Sequence, residues 1–123
     1  EAMNRIRGPF NVTSPAMLAG IASLSDTAFL EKARAHNDKW LAWLTREIEA
    51  LGLAVTPSVG NFLLLHFSKE ATRGAAAADA YLTTRGLVLR RMEGYGLPNA
   101  LRLSVGSEEA NLTLVEALRG FLK

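Results

Sequence analysis

Within "ALRLSV", residues 100–105, an arginine interrupts what otherwise reads as a β-strand bound for a core. Side chains alternate along a strand, so Leu101, Leu103 and Val105 share one face and Arg102 shares the other with Ser104. A guanidinium held at the edge of an apolar layer is costly unless an anion meets it. Arginine alone presents a planar fork that matches a carboxylate, with each charge-assisted hydrogen bond worth about 1.5–3 kcal/mol. Arg90 and Arg91 raise the same question. They end "LVLRR" just before the loop "MEGYGLPN", where a rim of cations could receive an anion, and only one of two adjacent strand residues can face it. Plainer readings stand beside these. Arg102 could pair with an internal acid such as Glu93 or lie solvated on an open sheet face, and Arg90 and Arg91 could be solvated strand ends. Pattern alone favours the plainer readings.

The elements that must carry these arginines follow from periodicity and punctuation. Thr13 or Ser14 caps a short helix with Pro15 in its first turn and Leu18, Ile21 and Ala22 on one face. Asp26 caps a second, long helix on which Leu30, Ala33, Asn37, Trp40, Leu41, Leu44, Ile48 and Leu51 recur at helical spacing until Gly52. From Leu53 the pattern turns to β: a short strand, a loop at 57–60 and a longer strand, 61–67. A third helix is expected between Glu70 and Arg85, with Ala71, Ala75, Ala78 and Leu82 on its buried face and Gly86 as its stop. "LVLRR" and "ALRLSV" supply two more strands, and Ser107 caps a last helix with Leu114, Val115, Leu118 and Leu122 as its stripe.

The resulting order, ααββαββα, describes an α+β domain: a small, mostly antiparallel sheet with helices packed on one face. The strand "NFLLLHF" is apolar on both faces, Phe62 and Leu64 on one and Leu63, Leu65 and Phe67 on the other. The helix-free face is therefore expected to meet a further domain or subunit.

Composition removes several classes of function. At 123 residues the chain is long enough for one self-supporting domain, and 49% hydrophobic with 21% charged residues is ordinary for a globular protein. Fourteen basic and twelve acidic side chains leave a charge of +2 with no run suited to nucleic acid. No cysteine is present, so disulfides and thiolate metal sites are excluded. His36 and His66 lie on different elements without partners at ligand spacing, so no metal is expected. Trp40 and Trp43 read as packing, and Ser14, Ser58, Ser104 and Ser107 lack a nucleophile motif. Arg5 and Arg7 in "IRGPF" are a weaker anion candidate. No apolar run approaches membrane-spanning length, and the amino terminus, lacking an apolar core and cleavage site, reads like the middle of a longer chain.

Three segments, "IRGPFNVTSPAMLAGIASL", "PSVGNFLLLHF" and "LRRMEGYGLPNALRLSVGSEEAN", resemble in order and separation the carboxy-terminal part of the histidinol-phosphate aminotransferases, fold-type-I pyridoxal-phosphate enzymes. The resemblance covers essentially all 123 residues. It implies that residues 1–123 form the small domain of a larger enzyme, with 1–12 as a leading segment, and that an absent large domain holds pyridoxal phosphate on a lysine.

Lys32, Lys39, Lys69 and Lys123 lack the family's serine-x-x-lysine setting, so no catalytic or cofactor-binding residue is expected here and the chain alone should be inactive. By the same resemblance, Arg102 binds the α-carboxylate of an amino-acid or oxo-acid substrate and Arg90, rather than Arg91, lies near the phosphate end. Met17 replaces a glutamine common among relatives. The implied reaction moves an amino group between glutamate and imidazole-acetol phosphate, in a cytoplasmic homodimer acting on small molecules. The alternatives are another fold-type-I aminotransferase or decarboxylase acting on an aromatic or phosphorylated amino acid, and a stand-alone anion-binding or regulatory module.

Overall fold

The computed structural model describes residues 1–8 and 11–123; Pro9 and Phe10 of the leading segment lie outside the described residues. The chain divides into two compact units, residues 1–34 and 35–123.

The first unit is helical. Helix α1 spans Ala2–Ile6 and α2 spans Ser14–Ser25. Thr13 is the N-cap of α2, its hydroxyl accepting from the Ala16 amide, with Pro15 in the first turn, as expected. The start of α3, Thr27–Ala50, also belongs here, and Asp26 Oδ1 accepts the Phe29 amide at 2.9 Å. No described residue of this unit is buried. Helix α1 was not expected; a five-residue segment without a side-chain cap or a buried stripe offers periodicity nothing to detect.

The second unit contains the sheet. Strands β1 (Ala54–Thr56), β2 (Phe62–His66), β3 (Arg90–Arg91) and β4 (Ala100–Ser104) lie in the order β1-β2-β4-β3, every pair antiparallel. In the β2–β4 register Leu63 faces Leu103 and Leu65 faces Leu101. These four leucines share one face, all are buried, and they form a single core with Leu44 and Ile48 of α3, Ala75, Ala78 and Leu82 of α4 (Ala75–Thr83), and Leu114, Val115 and Leu118 of α5 (Glu108–Leu122). All three helices therefore cover the same side of the sheet, the α+β arrangement expected. Burying one such leucine stabilises the fold by about 1.5–3 kcal/mol.

Helix ends obey local rules. Ser107 caps α5, accepting from the Ala110 amide, and Glu108 and Glu109 occupy its first turn. Gly52 and Gly86 stop α3 and α4 with φ of 87° and 75°.

Two boundaries differ from expectation. Helix α4 starts at Ala75, because residues 70–73 turn on themselves through a hydrogen bond from the Arg73 amide to the Glu70 carbonyl. Gly74 lies so close that a Cβ there would fall 2.9 Å from the Glu70 carbonyl oxygen, and Ala71 is exposed in the turn. Strand β3 is confined to Arg90–Arg91: the Leu87 amide donates to Leu82 O at the end of α4, so this part of "LVLRR" completes a helix terminus.

Candidate functional site

Arg102 projects from the helix-free face. It pairs with Leu64 on β2 and with Arg90 on β3, so these three side chains emerge on one side, opposite to Leu101 and Leu103. Phe62 and Ser104 are a second pair on that face. The Arg102 guanidinium carbon stands 5.3 Å from the centre of the Phe62 ring, and its Nε is buried without a hydrogen-bond partner. Among the described residues no carboxylate pairs with Arg102. Glu93, the internal acid offered by the plainer reading of Arg102, is ion-paired with Arg91 instead.

Arg90 and Arg91 separate as alternation demands. Arg91 pairs with Leu101 and so belongs to the other side of the ladder. Arg90 stands directly opposite Arg102. Side chains so paired start about 4.5–5.5 Å apart at Cβ, and like charges in this relation destabilise a sheet unless something neutralises them. The two arginines line an open hollow of about 460 Å³ together with Val88, Leu89, Leu103 and Ser104. Two guanidiniums, one with a buried unpartnered N–H, make this hollow chemically suited to an anion. Ser104, exposed at its edge, adds a hydroxyl that the sequence had already put on Arg102's face.

The turn after β4 is held by contacts that sequence reasoning did not foresee, from Asn111, which it did not single out, and from His36, which it weighed only as a metal ligand. Asn111, buried on α5, accepts the Gly106 amide at 2.9 Å through Oδ1 and donates to the Gly106 carbonyl at 3.1 Å through Nδ2. His36 Nε2 donates to that same carbonyl at 2.9 Å. Gly106 follows β4 by one residue beyond Val105, so this clamp fixes the end of the strand that carries Arg102. Only tertiary placement reveals it.

The other candidates are accounted for locally. His66 shares a 2.7 Å hydrogen bond with Thr56 across the β1–β2 ladder, and no group of metal-binding side chains occurs among the described residues. Trp40 is buried, with Trp43 edge-on at 5.1 Å, both packed on α3. Arg7 donates to Asn4 within the first unit, where Arg5 and Met17 are exposed. A groove of about 600 Å³ lined by α4 and α5 contains Arg85, whose guanidinium is occupied by the Tyr81 carbonyl, the Thr84 hydroxyl and the Tyr81 ring. Lys32, Lys39, Lys69 and Lys123 are all exposed, and Lys39 pairs with Glu108. No helix among the described residues is long and apolar enough to cross a membrane.

The same one-sided α+β fold is seen in a solved histidinol-phosphate aminotransferase from Clostridium acetobutylicum: TM-score 0.83, 22% identity, covering 98% of this chain and 36% of that one. The chain belongs to the aminotransferase class I and II family, which it matches over residues 1–118. This family depends on pyridoxal phosphate. Among curated relatives, the histidinol-phosphate aminotransferases of Nitrobacter winogradskyi and Nitrobacter hamburgensis are 57% and 55% identical over 122 residues. These alignments cover 99% of this chain, which spans 33% of each relative's length.

Proposed function

We propose that this chain is the small domain of a longer, cytoplasmic, dimeric pyridoxal-phosphate aminotransferase that moves an amino group from glutamate to imidazole-acetol phosphate, yielding 2-oxoglutarate and histidinol phosphate. The observation that carries this reading is the facing pair Arg90 and Arg102 on the helix-free side, with the Arg102 Nε unpartnered, in a chain of this family. The names of the relatives support histidinol phosphate as one partner of the reaction.

The substrate chemistry explains why two arginines are needed. Glutamate presents an α-carboxylate next to its amino-bearing carbon. Histidinol phosphate has no carboxylate; at the corresponding end it carries a phosphate ester with more charge and more acceptor oxygens. In this reading Arg102 grips whichever anion is present, and Arg90 adds the contact that a phosphate can use and a carboxylate needs less. Fixing that end orients the reacting carbon, and an arginine already set in a partly dry sheet needs little reorganisation to do so.

Bound pyridoxal phosphate would supply the carbonyl group that accepts and returns the amino group. No lysine of this chain suits its attachment, since all four are exposed on helix, turn or terminus, so the reading assigns these residues no cofactor-holding role.

The test uses the full-length enzyme with histidinol phosphate and phenylalanine as competing amino donors. Arg90→Ala is expected to lower kcat/KM for the phosphorylated donor by about tenfold or more while leaving phenylalanine nearly unchanged. Equal turnover of the two donors by the unaltered enzyme would defeat the histidinol-phosphate assignment.

A further inference from the structure

Arg90 and Arg91 are neighbours in sequence with opposite electrostatic fates. Arg91 is neutralised by Glu93, whereas Arg90 donates from Nη2 to the hydroxyl of Tyr95 at 2.8 Å and has the Tyr95 ring centre 5.4 Å from its guanidinium carbon. Tyr95 ends the 3-10 turn Glu93–Tyr95, which Gly96 closes with φ of 76°. One turn therefore presents an acid to one arginine and a phenol to the other. A phenol accepts a hydrogen bond without cancelling charge, so Arg90 is held in place and stays a full cation. Tyr95 is not among the residues lining the hollow beside Arg102.

We propose that Tyr95 is a positioning residue for the anion site: it backs the Arg90 guanidinium with a neutral acceptor, leaving the remaining N–H groups and the undiminished charge for a phosphate. This rests on the reading of Arg90 as a phosphate contact. A carboxylate at position 95 would hold the guanidinium equally well but spend its charge, as Glu93 spends that of Arg91. Neutrality of the backing group is therefore the property that matters, and it confers preference for the phosphorylated substrate over glutamate.

Four variants of the full-length enzyme test this, each read as the ratio of kcat/KM for histidinol phosphate to that for glutamate, with KM and kcat resolved separately. Tyr95 is exposed, so the substitutions should leave the melting temperature unchanged. Tyr95→Phe keeps the ring and removes the acceptor; the ratio should fall about three- to tenfold, through KM for the phosphorylated substrate. Tyr95→Gln restores a neutral acceptor and should keep the ratio within about threefold of the starting enzyme.

Tyr95→Glu, equal in size to the glutamine variant but charged, should lower the ratio about tenfold or more, approaching Arg90→Ala. If the Gln and Glu variants share one ratio, or the Phe variant keeps the original one while Arg90→Ala collapses it, the role of Tyr95 is overturned and the phosphate contact stands. If Arg90→Ala itself leaves the ratio intact, the phosphate contact is wrong and this inference falls with it.

Discussion

The two faces of the sheet are made by the same strands, and alternate residues of β2 and β4 meet opposite environments. On the covered face Leu63, Leu65, Leu101 and Leu103 pack against three helices and exclude water. On the open face Phe62 is 41% exposed, Leu64 and Arg102 are half-buried, and Arg90 is exposed. Aliphatic contacts on the first face secure the fold. The second face keeps a pair of cations in a relation that costs stability unless an anion neutralises them. Aliphatic packing and cationic charge are thus sorted by a period of two along a single strand.

The largest expected effect belongs to the covered face. Leu65→Ala should cost about 2–5 kcal/mol in urea unfolding. The adjacent Leu64→Ala should cost no more than about 1 kcal/mol, and equal costs would mean that the two faces are not distinct in this way. Next, Arg102→Lys should remove about 1.5–3 kcal/mol of carboxylate recognition, roughly ten- to a hundredfold in kcat/KM for glutamate, while the urea midpoint holds. A loss of stability with unchanged kinetics would break the comparison from the other side.

Asn111→Ala tests the joint between the faces. Loss of its two bonds to Gly106 should cost about 1–3 kcal/mol in urea unfolding and, because β4 loses its anchor, also raise KM for glutamate. The smallest change is Ser107→Ala, about 1 kcal/mol of thermal stability through the cap of α5, with KM untouched.

Much of the covered face was readable in advance because its signals are local. Asp26, Ser107, Gly52 and Gly86 mark helix ends within a few residues, and alternation alone put Arg102 opposite Leu101 and Leu103. Signals that depend on pairing were not readable. The confrontation of Arg90 with Arg102 is a matter of β3–β4 register, and no pattern within "LVLRR" reports it. Tyr95 and Asn111 act through contacts that appear only after a turn and a helix have docked. The overlong expectations for α4 and β3 share one cause: Glu70 O and Leu82 O each captured a backbone amide that the expected element needed.

Gly106 is gripped by Asn111 from α5 and by His36 from α3, so two helices converge on one residue of the link between β4 and the cap of α5. Polar contacts of this kind tolerate little displacement, whereas aliphatic layers accommodate exchanges of similar volume by sliding. The convergence gives β4 a fixed origin along its own axis. Exchanges of similar volume in the core can therefore be absorbed without moving the guanidinium at position 102 along the open face.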